Sequence, residues 1–395
     1  MSSDPVKVVV VGGSFAGVSV INQLLSSLGS SKKKIQITLV EKHDARYHPL
    51  GAFRALVDVE YGNKIWVPYT KIFPENSGHR VIKDTLAQVY HHHIVLGSGT
   101  TVPFDYLVLC TGSDNPAPGK FNNVANSTDA IAITSKAHSD VSKSNSILVV
   151  GGGACGVELA GEIKTAYPDK KVTLVHSTST LVDYEGFASS LKSSTLKHLV
   201  GLGVKVVLNE RVAIDGLDRD HSIRVGQSTI NTKNGETIES DVQFFTVGSR
   251  VDTSYLSTLK PEGDDAFDSS SLVHSDTHVI KVRKTMQLAN ESFPYILAVG
   301  DCTDFSKVPT AAACMFSGPT AGKNLMKLIE TSGKTDKLAA ASDAPAYMVL
   351  TTGPTTGVSI LPLFGTRFSN FFSKLLKSKD LMLGQTLTDM KVSAK

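Results

Sequence analysis

Two stretches of this sequence, residues 8–17 and 147–162, each join an apolar run to a group of glycines and then to a helical pattern. This order predicts a buried strand, a tight turn and a helix whose free backbone amides can bind a pyrophosphate. Each stretch therefore predicts a dinucleotide-binding unit. Because there are two of them, we expect the chain to hold two dinucleotides at once and to pass electrons between them.

The first stretch departs from the usual glycine pattern at one position. Its turn residues are Gly12, Gly13, Ser14, Phe15, Ala16 and Gly17, so serine replaces the central glycine of G-x-G-x-x-G. The next predicted strand, residues 35–40, ends in Glu41, whose carboxylate would accept hydrogen bonds from an adenosine ribose. A solvated acid at a strand end is the alternative interpretation of Glu41.

The second stretch has glycine at all three positions of the pattern. Its turn residues are Gly151, Gly152, Gly153 and Gly156. The strand predicted at residues 171–175 ends in His176 and Ser177 instead of an acid, which would repel a 2′-phosphate. Both NADH and NADPH are therefore compatible with this unit.

Composition and charge exclude several classes of protein. Lys and Arg number 40 against 37 Asp and Glu, giving a formal charge of +3, and the basic residues are scattered, which argues against a nucleic-acid partner. The N-terminal residues lack the features of a signal peptide or a transit peptide, and no glycine follows Met1 for myristoylation. No apolar run reaches the length of a membrane span. A cytoplasmic protein is expected.

The cysteines and histidines form no recognisable metal or redox motif. Cys110, Cys155, Cys302 and Cys314 are far apart and include no C-x-x-C pair. The run at residues 91–93 is all histidine, but neighbouring side chains in a strand point to opposite faces, so we predict no metal site.

As a set, the two glycine motifs with Glu41, Thr111-Gly112, the Thr-Val-Gly at residues 246–248 and Gly300-Asp301 resemble the pyridine-nucleotide-disulphide reductase superfamily. The resemblance implies an α/β fold with two Rossmann-like domains, in which an FAD domain is split around an NAD(P)H domain. A small C-terminal α+β unit follows. The boundaries implied are 1–117 and 249–333 for FAD, 118–248 for NAD(P)H, and 334–395 for the C-terminal unit.

The same resemblance implies roles for individual residues. Besides the first turn, the residues expected at FAD are Glu41, Lys42, Arg54, Ile82, Thr111, Gly112, Gly300 and Asp301. Besides the second turn, those expected at NAD(P)H are Glu158, His176, Ser177 and Gly248. No dithiol motif is present, so the flavin is expected to deliver electrons directly to an external acceptor.

Several segments look like the apoptosis-inducing-factor-like proteins, and in particular their ferroptosis-suppressor branch, whose members act as NAD(P)H:quinone oxidoreductases. These segments include residues 53–55, 172–177 and 300–302. A lysine that animal members carry after Gly-Asp-Cys falls at Pro309, and Lys307 is the nearest candidate. Monodehydroascorbate, an electron-transfer protein or oxygen are alternative acceptors, and a slow NAD(P)H-sensing regulator of cell death is the alternative function.

A basic amphipathic helix is predicted at residues 367–381, where one apolar stripe is flanked by lysines. The stripe is formed by Phe368, Phe371, Phe372, Leu375 and Leu376. It could pack against the flavin domain or a second subunit, which leaves a homodimer open. Insertion into a membrane or lipid-droplet surface, where a lipophilic quinone would be reached, is the alternative.

Overall fold

The computed structural model describes residues 4–185, 187–212, 222–306, 308, 310–342, 348–361, 365–367 and 377–393. The strands are β1 (Val6–Val11), β2 (Ile35–Glu41), β3 (Ala45–Tyr47), β4 (Trp66–Pro68), β5 (Arg80–Lys83), β6 (Leu86–Val89), β7 (His93–Leu96), β8 (Thr101–Pro103), β9 (Tyr106–Leu109), β10 (Ser146–Val150), β11 (Lys171–Val175), β12 (Lys205–Val207), β13 (Ile223–Asn231), β14 (Thr237–Phe245), β15 (Ile296–Ala298), β16 (Met348–Thr351), β17 (Gly357–Leu361) and β18 (Gly365–Arg367). The α-helices are α1 (Phe15–Ser27), α2 (Val59–Lys64), α3 (Ser127–Lys143), α4 (Ala154–Ala166), α5 (Ser189–Leu202), α6 (Ala311–Glu330) and α7 (Leu383–Asp389).

Two five-stranded sheets carry the two glycine motifs. The first has the order β15-β9-β1-β2-β5, and all its pairings are parallel. The second has the order β12-β11-β10-β14-β13, with β13 alone running antiparallel to its neighbour. The α/β fold with two Rossmann-like units is confirmed. The four domain boundaries stay a prediction.

The first sheet is buried on both faces, which explains why β1 is an unbroken apolar run. Val8, Val9, Val10 and Val11 are at most 4% exposed. Helices α1 and α6 pack closely together because Gly318 and Gly322 lie at their contact, where an added Cβ would come within 2.7 Å of Ser19 and Gln23 side-chain atoms. These two glycines therefore lie inside α6 and allow it to pack closely against α1.

Three smaller sheets complete the described structure. They are β6-β7-β8, the pair β3-β4, and β16-β17-β18 near the C-terminus. Hairpin turns at residues 97–99 and 234–235 join the antiparallel pairs β7-β8 and β13-β14. Among the described helices, none is long and apolar enough to cross a membrane.

Two segments of the chain are each divided between two sheets. Residues 80–89 form β5 in the first sheet and β6 in a three-stranded sheet, and residues 101–109 divide in the same way into β8 and β9. Polar residues cause both breaks: the Asp84 side chain accepts from the amide of Thr85, and Asp105 accepts from the amide of Lys7 at 2.7 Å. Helix α3 and the β3-β4 pair had not been expected.

Candidate cofactor-binding site

The first glycine turn is closed too tightly for side chains at two positions. Gly12 has φ +98°, and a Cβ there would lie 2.2 Å from the carbonyl oxygen of Cys110, the residue after β9. A Cβ at Gly17 would lie 1.8 Å from the carbonyl oxygen of Gly12. Strand β1 and helix α1 therefore touch through bare backbone, as a dinucleotide-binding turn requires.

Glu41, at the end of β2, is bound to the turn itself. Its Oε2 accepts a hydrogen bond from the Gly13 amide at 2.6 Å, and its Oε1 accepts from the His43 amide at 3.1 Å. The side chain is 8% exposed, and burial alone would raise its pKa, but the hydrogen bonds from His43 and Gly13 hold the pKa below the ordinary value. Glu41 is thus a buried anion beside the turn, not a solvated acid.

The N-terminus of α1 is open to an anion. Its N-cap, Ser14, makes no side-chain capping bond, and the first turn holds no acidic residue. Phe15, Ala16 and Gly17 begin the helix, so their amides belong to the unpaired first turn, where the helix dipole favours negative charge. These features fit the pyrophosphate of FAD. Ile82 lies beside this end of the sheet, paired with Val40 next to Glu41.

Four more of the expected FAD residues lie at the same carboxyl edge of the first sheet. They follow β9 and β15 and are Thr111, Gly112, Gly300 and Asp301. An added Cβ at Gly300 would lie 3.0 Å from Cβ of Ala16, so this segment adjoins the start of α1. Residues almost 300 positions apart in the chain are thus brought together.

Asp301 belongs to a polar group that the sequence did not reveal. Its Oδ2 accepts from Ser113 Oγ at 2.9 Å, and Lys120 Nζ lies 3.4 Å away. Asp301 and Ser113 line a cavity of about 830 Å³, together with Gly300, Arg250 and His274. This volume lies within the range of roughly 300–1,000 Å³ typical of ligand pockets.

Lys42 and Arg54, both expected at FAD, have other partners in this structure. Lys42 Nζ donates to Asn122 Oδ1 at 2.7 Å, and burial lowers the pKa of the lysine. Arg54 is buried and forms a two-pronged ion pair with Glu162 of α4, with distances of 2.6 and 2.8 Å. Their assignment to FAD stays a prediction.

The second glycine turn repeats the geometry of the first. Gly151 has φ +115°, and an added Cβ at Gly156 would lie 1.8 Å from the Gly151 carbonyl oxygen. Gly153 is the N-cap of α4, which has no acidic residue in its first turn. Thr246, after β14, donates to the carbonyl of Gly151 at 3.2 Å. The turn is therefore suited to a second pyrophosphate.

His176 and Ser177 follow β11 beside this turn. The Gly152 amide donates to His176 Nδ1 at 3.0 Å, and His176 Nε2 lies 2.9 Å from Thr178 Oγ1. Burial lowers the pKa of His176, so the ring is neutral near pH 7. Ser177 is exposed, and Gly248, three residues beyond β14, has φ +81°. Both ring nitrogens of this histidine are therefore held by neighbouring protein groups, and the ring offers no charge to a nucleotide.

Glu158 lies in α4 and is 9% exposed. Its Oε1 accepts from the amide and hydroxyl of Thr351 at 3.0 and 3.1 Å, and from Lys377 Nζ at 2.7 Å. The sequence indicated Lys377 only as one of the lysines flanking an apolar stripe. No local pattern could have shown this contact, because the two residues are 219 positions apart.

Three further residues at the first site were missed. Tyr69 donates to the Gly13 carbonyl at 2.9 Å, Lys120 contacts Asp301, and Arg46 lies 5.0 Å from the centre of the Phe15 ring. Arg46 is 1% exposed, and its guanidinium nitrogens have no hydrogen-bond partner in the part of the chain that the structure describes. Burial lowers the pKa of Arg46.

Some expectations fall where the structure gives no description. Lys307, Pro309 and residues 368–376 of the predicted amphipathic helix lie outside the described residues. Within the described ranges, no group of three or more His, Cys, Asp or Glu residues could hold a metal ion.

Two dinucleotide-binding turns at the carboxyl edges of two sheets define a two-cofactor oxidoreductase of the flavin- and pyridine-nucleotide-dependent class. The chain belongs to the pyridine nucleotide-disulphide oxidoreductase family, which matches residues 6–318. Its cofactors are FAD and NADH or NADPH.

Individual relatives extend the similarity over almost the whole chain. Ferroptosis suppressor protein 1 of Xenopus tropicalis is 30% identical over 98% of this chain and 96% of its own length. Apoptosis-inducing factor homolog B of Dictyostelium discoideum is 28% identical over 99% of this chain and 98% of its own. The solved sulfide:quinone oxidoreductase of Aquifex aeolicus has the same fold, with a TM-score of 0.71 and 14% identity over 98% of this chain and 91% of that one.

Proposed function

We propose that this chain is an NAD(P)H:quinone oxidoreductase that delivers electrons from FAD directly to a quinone. The observation that carries the proposal is the state of the cysteines. All four are free, and Cys110, Cys302 and Cys314 are buried. Burial raises the pKa of each of these three thiols. Since the thiolate is the reactive form, none of the three is suited to relay electrons.

Cys155 is the remaining thiol, and its environment also opposes a redox role. It is half-buried at the second turn, and burial raises its pKa to about 11. Because no thiol relays electrons, the external acceptor must take them directly from the flavin. The similarity to ferroptosis suppressor proteins supports a quinone in that role, because the branch that the sequence resembles consists of NAD(P)H:quinone oxidoreductases.

The proposed roles of the residues follow from their positions. The α1 amides and the dipole of that helix bind the pyrophosphate, while Glu41 accepts hydrogen bonds from a ribose. Asp301 accepts from hydroxyl groups within the 830 Å³ cavity, where Lys120 and Ser113 keep its carboxylate oriented. When bound, FAD accepts a hydride from NAD(P)H and passes the electrons on.

The second glycine turn, at residues 151–156, and its flanking residues would hold the NAD(P)H that binds and leaves in each catalytic cycle. Neutral His176 offers it no cation, and Lys170 already donates to the carbonyl of Ser142 at 2.9 Å. The proposal therefore includes both NADH and NADPH as donors, since β11 is followed by His176 and Ser177 and not by an acid that would repel a 2′-phosphate.

The acceptor is tested by reoxidation. Protein reduced anaerobically with NADH is mixed with a short-chain ubiquinone, with monodehydroascorbate, with an electron-transfer protein or with oxygen, and the return of flavin absorbance is followed. We expect the ubiquinone to be fastest. Faster reoxidation by any other acceptor contradicts the quinone assignment. Turnover far below about 1 s⁻¹ with all of them favours the sensing function.

Membrane contact through residues 367–381, and a homodimer, remain part of the proposal. Flotation with liposomes that contain anionic lipids tests the first, with a chain lacking residues 344–395 as the comparison. Binding by the intact chain alone supports a membrane-contacting C-terminal unit, whereas equal flotation of both chains contradicts it.

A further inference from the structure

Residues 181–184, called the covering segment below, lie against the second glycine turn. The Val182 amide donates to the Gly152 carbonyl at 2.8 Å. An added Cβ at Gly152 would lie 2.6 Å from Cδ2 of Leu181, and both Leu181 and Val182 are 0% exposed. The covering segment, which lies between β11 and α5 in the chain, is therefore anchored on the turn itself.

The last residue of the covering segment places a hydroxyl group directly over the turn. The Ala154 amide donates to Tyr184 Oη at 3.1 Å, and an added Cβ at Gly153 would lie 3.0 Å from the same oxygen. Gly153 is the central glycine, where the bare backbone lets a pyrophosphate approach. Ala154 begins α4, so its amide is one of the free donors for that anion. The hydroxyl therefore takes both the space and the donor that a pyrophosphate requires.

The central positions of the two turns differ in this respect. Ser14, which replaces the central glycine of the first turn, is exposed. Gly153, at the same position of the second turn, lies beneath the Tyr184 hydroxyl. A pyrophosphate thus has open access to the first turn, whereas it meets a tyrosine side chain at the second.

The covering segment contains a strained residue. Val182 has φ +47°, which a β-branched residue rarely adopts, and such strain raises the free energy of this arrangement relative to one in which the segment has moved. Side-chain contacts act in the opposite sense. The Tyr184 ring packs edge-to-face on Phe187, with ring centres 6.3 Å apart, and Asp183 forms an ion pair with Lys192 of α5. The closed arrangement is therefore opposed by backbone strain and kept by side-chain contacts.

A pyrophosphate is a better partner for the Ala154 amide than the tyrosine is. Burial raises the pKa of Tyr184, so its hydroxyl is neutral at physiological pH. A hydrogen bond from an amide to a phosphate oxygen is charge-assisted and therefore stronger than one to a neutral hydroxyl. The dipole of α4 also favours the anion at this end of the helix. A bound nucleotide can therefore displace the hydroxyl from the amide.

We propose that Tyr184 is a gate of the nucleotide site, which closes the second glycine turn when no nucleotide is bound and must move aside before the pyrophosphate of NAD(P)H can bind. The proposal rests on the assignment of the nucleotide to this turn. Because only the open form binds, the apparent affinity is reduced by the fraction of molecules that are open. Removal of the Tyr184 hydroxyl should therefore strengthen nucleotide binding. A tyrosine that stays in place and donates to the phosphate would have the opposite effect.

The test measures nucleotide binding and no electron transfer. The dissociation constant and the association rate of a tetrahydro analogue of NADH, which cannot donate hydride, are determined on the FAD-loaded full chain. Tyr184→Phe is expected to bind about threefold to tenfold more tightly, as the loss of one competing hydrogen bond implies, and to associate faster. Tyr184→Ala should bind at least as tightly as Tyr184→Phe. Tyr167→Phe, which loses the same hydroxyl group at the other end of α4, should change nothing.

The sign of the change separates the gate from the other roles of Tyr184. Weaker binding in Tyr184→Phe shows that the hydroxyl holds the nucleotide, and unchanged binding shows that it does not compete; either result overturns the gate. FAD content and thermal stability are recorded for each variant, because a merely structural role predicts lower stability without tighter binding. If Gly156→Ala loses the analogue while Tyr184→Phe gains no affinity, the gate is wrong and the site stands. If Gly156→Ala binds it normally, the assignment of the nucleotide to this turn is wrong, and the gate with it.

Discussion

The two glycine turns have nearly the same backbone conformation, but they differ in which residues donate hydrogen bonds to the acidic side chain beside each turn. An added Cβ at Gly17 or at Gly156 would meet the carbonyl oxygen of Gly12 or Gly151 at the same distance, 1.8 Å. Glu41, however, is bound by the amides of Gly13 and His43, two residues of its own unit. Glu158 depends on Thr351 and Lys377, about 200 residues away.

This difference suggests how the two sites are used. A turn whose acid is held by its own unit is complete without the rest of the chain, which suits a cofactor that stays bound. A turn whose acids are held by the C-terminal unit and by Arg54 is coupled to other parts of the molecule, which suits a nucleotide that binds and leaves. The predictions below test that contrast.

Alanine at either closing glycine should remove one cofactor only. Gly17→Ala forces a shift against the backbone oxygen of Gly12. We expect a cost above about 3 kcal/mol, which is a loss of more than about 100-fold in FAD affinity. Gly156→Ala should retain FAD but lose nucleotide binding to a similar extent. The FAD-to-protein ratio and nucleotide titration measure both effects. Loss of both cofactors in either variant would contradict the assignment of one cofactor to each turn.

Removal of the Arg54 side chain should destabilise the whole protein. Arg54→Met leaves Glu162 buried and uncompensated, which should lower the free energy of unfolding by about 3–5 kcal/mol. The double variant Arg54→Met with Glu162→Met should recover most of that loss, because both buried charges are gone. Denaturant unfolding gives the values. A double variant no more stable than the single one would argue against the ion pair as the cause.

Loss of the charge on Glu41 should weaken FAD binding moderately. Glu41→Gln replaces a charge-assisted acceptor of the Gly13 amide, and we expect a cost of about 1–2 kcal/mol, close to tenfold in FAD affinity. Dissociation of FAD on dilution measures the change. Glu239→Gln, in β14 and exposed, is the control.

The same residue predicts an acid dependence. Although burial acts to raise the pKa of Glu41, its hydrogen bonds hold it below the ordinary 4.5. Its stabilising effect is therefore complete above pH 4.5 and is lost as pH falls through the lower folded-state pKa. In Glu41→Gln, the free energy of unfolding should fall less steeply as pH drops below 4.5. The same steepness in both proteins would contradict a stabilising role for the ionised Glu41.

The smallest effect is expected at the central position of the two turns. Ser14 is exposed, so Ser14→Gly should alter FAD affinity by only a few tenths of a kcal/mol. At Gly153 an added Cβ would lie 3.0 Å from Tyr184 Oη, so Gly153→Ser should cost about 1 kcal/mol or more in nucleotide binding. Equal effects at both positions would show that the two turns leave the same space for a side chain at their central position.

The elements that the sequence predicted well are those set by local pattern. Strand β1 with α1, β10 with α4, and the strands β2 and β11 all lie where apolar periodicity and glycine spacing indicated. The short β3-β4 pair and helix α3 were missed. Helix α3 is a largely polar segment, and β3 and β4 are three residues each and are stabilised by pairing between residues about 20 apart.

The contacts of the site were harder to predict than its residues. Glu41 and Glu158 follow from motifs, but the contacts Arg54 to Glu162 and Lys377 to Glu158 span 108 and 219 residues. Such contacts depend on how the units pack, and no spacing in the sequence encodes them. Arg54 illustrates the difficulty, because its position matched a family segment while its side chain pairs with α4.

The most direct test of the account is anaerobic reduction of the purified full chain. We predict a yellow protein with about one FAD per chain, whose visible absorbance is bleached by one equivalent of NADH or NADPH. Gly156→Ala should keep the yellow colour but resist bleaching. A protein that carries no flavin, or whose flavin neither nucleotide reduces, would contradict the assignment of FAD to the first turn and the nucleotide to the second.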